Sequence, residues 1–219
     1  ASGHTRLHDN LVTVLGRLTV ATSSLIGLAV AAVVVFPTFR PGDLISGLGI
    51  TSVAIGFAFK DILQNFFAGI LILWRQPFRI GDQIRSGEWE GTVEDINTWS
   101  TRLLTFDGQR AVLANGEVYT RAILVHTANP SRRIRLNVTL PKPESLEEAR
   151  RLILDLLSKT EGVHPEPGPW VYIDDLATAP VNLRVYFWTG SKHATALAVT
   201  DRVASRIKQA LHQAGLLSP

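Results

Sequence analysis

The 219 residues are 46% hydrophobic, carry a formal charge of +3 and contain neither cysteine nor methionine. Without cysteine there is no disulfide framework and no thiolate metal site, and the redox compartment goes unread. A pI near 9.5 with a positive mean hydropathy suits contact with anionic lipid headgroups and falls short of the concentrated basic footprint of a nucleic-acid binder.

The apolar residues crowd into the first 75 positions, and the lack of methionine even at position 1 is what an internal segment of a longer chain would show, with room for further spans before Ala1. Residues 18–36, LTVATSSLIGLAVAAVVVF, hold no charge. As a helix they would rise about 28 Å, the thickness of a bilayer's hydrocarbon core. They are read as a transmembrane helix, since the stretch is long for a signal-peptide core and a second apolar segment follows at once. Pro37 and the RPGD of residues 40–43 then make a short polar turn. Residues 44–59 are apolar again, Lys60 and Asp61 interrupt, and Ile62 to Trp74 continue the run. Arg75, Arg79 and Arg85 follow it, and Arg6 and Arg17 stand before the first helix, against Arg40 alone in the loop between. The positive-inside rule therefore puts both ends of this membrane region on the cytoplasmic side.

At about 100° per residue, Ser46, Ile50, Val53 and Phe57 form one narrow stripe on the second helix, with Lys60 and Asp61 at its edges. Gly49 and Gly56 flank the stripe on one side, Gly47 and Ala54 on the other, while Leu48, Ile55 and Phe59 take the opposite face. Small residues let helices approach closely in lipid. Two small flanks suit a ring of identical helices whose stripe lines a pore; an ordinary helix pair in a bundle would use the same glycines. Asp61 with Gln64 three residues later matches a capping box, so a new helix is expected to begin there, with Leu63, Phe66, Phe67, Ile70 and Trp74 on one face and Gln64, Asn65 and Ala68 away from it. Such a helix suits the membrane interface or packing on a soluble domain. The alternative is a salt bridge between adjacent helices inside the membrane.

From Phe78 the pattern changes to short alternating strands, with Asp107-Gly108 and Asn115-Gly116 as tight turns, ending near Asn129-Pro130. A strand (Ile134 to Leu140), a helix (Ser145 to Lys159, opened by a Ser145–Glu148 capping box), two strands (Trp170 to Leu176 and Val181 to Trp188) and a last helix (His193 to Ala214) follow. That order is a small α+β sandwich of the ferredoxin-like kind. The fold expected is an α-helical membrane pore plus cytoplasmic mixed α/β structure. Residues 1–43 would be the transmembrane helix and loop, 44–77 the pore-lining helix kinked near 60–61 plus an interfacial helix, 78–130 an Sm-like β-domain and 131–219 the α+β domain.

The segment GITSVAIGFAFKDILQNFFAGILILWRQPFRIGD, the EGTVEDINTWSTRLLTFDG after it, and the NG and NPSRR at 115–116 and 129–133 resemble the small-conductance mechanosensitive channel (MscS) family over about residues 10–215. The KDIL form of the kink resembles the branch with larger bacterial and organellar members. The resemblance implies a tension-gated homoheptameric channel passing ions and small osmolytes, in contact with membrane lipids, in a bacterial inner membrane or an organellar one. It implies a pore helix broken at Lys60 and Asp61, pore-closing side chains at Val53 and Phe57, and close helix contacts at Ala54 and Gly56, which agrees with the stripe read from helical geometry. Ala114 stands where the family often has proline, and the family's closing strand after the last helix does not appear before Pro219. Lys60 is a candidate for biasing ions toward anions, with Asp61 beside it opposing the effect.

A membrane-anchored binding scaffold is the competing class, using the β-domain with SRRIR at 131–135, Arg150 and Arg151. Nucleic-acid binding asks for basic residues interleaved with stacking aromatics, whereas Trp89 and Trp99 stand in acidic or neutral surroundings, so no nucleic-acid partner is expected. Nothing indicates an enzyme or a cofactor. The histidines are scattered, His4 and His8 alone have i, i+4 spacing, and the acids Glu147-Glu148 and Asp174-Asp175 read as surface and strand-end groups. No phosphate loop or nucleophile elbow occurs, so no catalytic or metal-binding residue is assigned.

Overall fold

A computed structural model describes residues 2–35, 41–141, 145–173 and 180–216. The chain divides into two compact units, 1–61 and 62–219.

The first unit is helical. Helix α1 runs Ser2–Val35, and α2 begins at Pro41, a residue that fits a first helical turn because it has no N–H to leave unpaired. None of the described side chains from Val12 to Ala31 is buried within the chain, and this stretch is apolar and long enough to cross a membrane. Pro37 and Arg40 of the expected turn, together with Asp174, Asp175 and Leu176 further on, lie outside the described residues.

Helix α2 continues to Arg75. Lys60 and Asp61 are both helical, so the separate helix expected to start at Asp61 is instead a continuation of α2. No glycine or proline occurs from Phe57 to Ala68, so the i to i−4 pattern runs on and the Asp61–Gln64 pair has no free helix end to cap. The boundary between the two units nevertheless falls between Asp61 and Ile62.

In the second unit, five strands follow α2: β1 (Gln83–Ser86), β2 (Trp89–Ile96), β3 (Ser100–Thr105), β4 (Arg110–Ala114) and β5 (Ile123–Val125). They form one antiparallel sheet in the order β4-β3-β2-β1-β5, which wraps round a core of Ile84, Val93, Leu103, Ala111, Leu113 and Val118, joined by Ile72 and Phe78 from before the first strand. The hairpin at Asp107-Gly108 is as expected: Gly108 has a φ of +79°, and its N–H donates to the Thr105 carbonyl at 3.0 Å. Asn115-Gly116 is not a tight turn; it opens the short helix α3 (Asn115–Thr120), because the Asn115 side chain is drawn inward to bonds described below.

A second sheet follows, with β6 (Ser131–Leu140), β7 (Trp170–Ile173) and β8 (Val181–Gly190) in the order β6-β8-β7, β8 antiparallel to both neighbours. Helices α4 (Leu146–Ser158) and α5 (His193–Gln213) bury one face of it over Leu140, Val171, Leu183, Val185 and Phe187. Strand β8 between β6 and β7 is the split β-α-β arrangement, so the ferredoxin-like reading holds. Ser145 does stand at the N-cap of α4, but it makes no side-chain cap bond, and its φ/ψ of −92°/9° departs from the extended geometry a capping box requires.

Candidate functional site

The residues expected to line and close a pore are on the first unit's part of α2. Val53 is 60% exposed and Phe57 72% exposed within the chain. Four residues apart on one helix, they share a face. Gly49 and Gly56 share the neighbouring line, and a Cβ added at either would meet nothing within 4 Å. Ala54, Lys60 and Asp61 are exposed as well. Ser46, Gly47 and Ile50 have helical backbone, and their side chains lie outside the described residues. The chain thus presents a helix with a medium-sized apolar stripe and small flanks, and from Ser52 to Asp61 every residue is exposed.

The second unit's part of α2 is held differently: its small-residue side packs on the β-domain, and of the large apolar face only Phe66 is partly covered. The buried side is Ala68, Gly69 and Ile72, with Asn65 and Phe66 partly buried, whereas Leu63, Phe67, Ile70 and Trp74 remain 42–78% exposed. Close approach decides this. The N–H of Gly116 donates to Asn65 Oδ1 at 2.8 Å, which draws the helix onto the start of α3. At Gly69 the backbones come so near that an added Cβ would lie 2.5 Å from Asn115 Nδ2 and inside the contact distance of the Thr98 carbonyl. Phe66 closes the edge, its ring 5.4 Å from that of Trp99.

Asn115 organises the receiving surface. Fully buried, it accepts a bond from Thr101 Oγ1 at 2.9 Å and donates through Nδ2 to the Asn97 carbonyl at 2.7 Å. Asn97 in turn folds the β2–β3 turn by accepting from the N–H groups of Trp99 (2.9 Å) and Ser100 (2.8 Å). One asparagine therefore fixes the turn that the helix packs against. The site reading from sequence missed Asn65, Gly69, Asn97 and Asn115. Their signals were present as a polar residue beside an Ala-Gly pair in an apolar helix and as the Asn-Gly at 115–116.

A polar cluster joins the β-domain to the α+β domain. Glu90 of β2 binds Arg85 of β1 through Nε at 2.7 Å, and His126 Nε2 stands 3.0 Å from Glu90 Oε1, off the line of a hydrogen bond. Arg132 of β6 reaches His126 Nδ1 at 3.3 Å. Burial holds the His126 imidazole below the usual histidine range; Glu90 opposes that, while Arg132 and Arg85 reinforce it. Burial would raise the Glu90 carboxyl, but bonding and charge from Arg85, with His126 and His193, bring it below the usual range. The His193 ring stacks on Phe106 at 3.8 Å, and the backbone N–H of His193 donates to Gln83 Oε1 at 2.7 Å. Among the described residues, no group of three or more His, Asp or Glu side chains could hold a metal ion.

Comparison with known proteins agrees with this architecture. Residues 61–124 match the family description "Mechanosensitive ion channel, beta-domain", and residues 133–216 match "Mechanosensitive ion channel MscS, C-terminal". An uncharacterized MscS family protein of Archaeoglobus fulgidus is 31% identical over 75% of this chain and 59% of its own length. The small-conductance mechanosensitive channel MscMJ of Methanocaldococcus jannaschii is 31% identical over 79% of this chain and 50% of its own. The chain therefore spans about half the length of the curated relatives it matches. The crystal structure of Helicobacter pylori MscS in its closed state superposes with a TM-score of 0.82 over 94% of this chain and 82% of that one, at 24% identity, a likeness of fold. With both soluble domains matched in order and apolar helices preceding them, the chain belongs to the MscS family.

Proposed function

We propose that the protein is a mechanosensitive ion channel, a homoheptamer whose α2 helices line the pore, opened by membrane tension to release ions and small osmolytes. The observation that carries the reading is the uncovered apolar stripe of Val53 and Phe57 between the small residues Gly49, Ala54 and Gly56, on a helix whose next turns are bound to a soluble domain. A helix that packs its Asn65–Ile72 side on a β-domain full of charged groups has left the hydrocarbon by Asn65. The membrane-crossing part of α2 then ends near Lys60 and Asp61, which sit at the cytoplasmic mouth. From Pro41 to Asp61 the helix rises about 31 Å, enough to cross.

In a ring, Val53 and Phe57 form a constriction too narrow and apolar to hold a continuous water column, so ions are excluded by dewetting. Tension favours the state of larger membrane area. Gly49, Ala54 and Gly56 are the surface on which neighbouring helices slide as the ring widens. The arginines at 75, 79 and 85 support a cytoplasmic position for the β- and α+β domains, in a bacterial inner membrane, where they form a vestibule.

The test is Phe57→Ser in reconstituted patches under suction. A polar ring wets at smaller radius, so the variant is expected to leak at rest and to open at lower tension than the wild type. Wild-type gating in Phe57→Ser would remove Phe57 from the gate.

A further inference from the structure

Helices α4 and α5 cover one face of the β6-β8-β7 sheet; no described element covers the other. Alternation along the strands assigns to that face Arg133, Arg135, Asn137 and Thr139 of β6, then Arg184, Tyr186 and Trp188 of β8, then Trp170 and Tyr172 of β7. In register, Arg135 pairs with Tyr186 and Tyr186 with Trp170; Arg133 pairs with Trp188. The rings form a connected row: Trp170 to Tyr172 at 6.1 Å, and Tyr172 to Tyr186 at 6.0 Å, both edge to face. Arg133 lies over the Tyr186 ring at 4.8 Å. Trp170 and Tyr172 are about half exposed, at 47% and 50%.

Two properties point to a ligand. Large aromatic side chains that the chain's own packing leaves exposed on one face mark a surface that a flat ligand can cover. The described residues of the three strands also include no carboxylate, and among the described residues neither Arg133 nor Arg135 has one at ion-pair distance. The two arginines stand two residues apart on one strand, their Cα atoms about 7 Å apart, a spacing from which both side chains can reach the oxygens of one di- or triphosphate chain. A neutral aromatic ligand would leave the arginines unused, and a simple inorganic anion would leave the rings bare. The described patch offers three rings beside two arginines, the size of one base and its phosphates.

We propose that this open face binds a nucleotide of the nucleoside triphosphate class, the base stacked on the exposed rings of Trp170 and Tyr172 and the phosphates held by Arg133 and Arg135. The proposal is independent of the channel reading, because binding can be measured on solubilised protein with no gating. The experiment is calorimetric titration of the full chain in detergent at low salt with ATP, adenosine and inorganic triphosphate as separate probes. ATP is expected to bind saturably, with adenosine and triphosphate each at least tenfold weaker. Arg135→Gln and Tyr172→Leu, both at exposed positions the core does not need, should each weaken ATP about tenfold, in line with the loss of one phosphate contact or one stacked ring. Arg151→Gln on α4, away from this face, should leave ATP affinity unchanged. Absence of saturable ATP binding up to about 5 mM, triphosphate binding as tightly as ATP, or unaltered affinity in both face variants would overturn the assignment.

Discussion

Gly69→Ala separates packing from propensity by the sign of its effect. In an exposed helix interior, alanine in place of glycine stabilises by about 1 kcal/mol. Here the new Cβ would fall against the Thr98 carbonyl and 2.5 Å from Asn115 Nδ2. Neither neighbour can yield cheaply: the first is backbone, and the second is fixed by bonds to Asn97 and Thr101. Overpacking a fitted site costs about 1–3 kcal/mol, and the upper part of that range applies where backbone must move. The balance is a net loss of about 1–2 kcal/mol, which for a unit of this size lowers Tm by about 2–8 °C. Thermal unfolding followed by tryptophan emission reads this directly, since Trp99 lies beside Phe66 at the contact. Because α2 is docked through this contact, the same variant should alter the tension needed to open the pore. A Tm equal to or above that of the wild type would refute the close approach at Gly69 and the docking built on it.

Two further substitutions test the supporting shell. Asn115→Ala strips the buried Thr101 hydroxyl and the Asn97 carbonyl of their bonds; it should cost about 2–3 kcal/mol, seen as a lower urea midpoint at unchanged slope, and an unchanged midpoint would remove Asn115 from its organising place. His126 faces Glu90 of β2, Arg85 of β1 and Arg132 of β6, and its folded pKa lies below its unfolded value of about 6.5. The unfolded chain therefore binds the proton more readily, so this stabilisation is complete above about pH 6.5 and is lost as pH falls through the lowered folded value. Glu90, also lowered, contributes above about pH 4.5 and keeps its charge across that window. His126→Gln should flatten the dependence of Tm on pH between about 7.5 and 5.5; a slope equal to the wild type's would show that His126 does not titrate with unfolding.

The order of elements was legible in the sequence because each rests on a local signal: uninterrupted apolar runs for the helices, period-two alternation for the strands, Asp107-Gly108 for a hairpin. What escaped depends on which surface meets which. The period alone groups Leu63, Phe66, Phe67, Ile70 and Trp74 on one face of α2 beyond Asp61, suited either to the membrane interface or to packing on a soluble domain. Apolar area does not choose between those two settings. A helix that must accept a hydrogen bond from a backbone N–H at 2.8 Å has to come close, and only small residues allow it, so Asn65, Ala68 and Gly69 take the contact. The large residues are then left facing outward, as they would be on a helix lying at a lipid surface. The same reasoning explains the continuous helix at Lys60 and Asp61. A capping pair acts only where the chain leaves the helix, and docking through Asn65 and Gly69 fixes the following turns without requiring it to leave. The two charges therefore mark a change of surroundings along one helix, from the exposed stripe of Val53 and Phe57 to a surface held by Gly116.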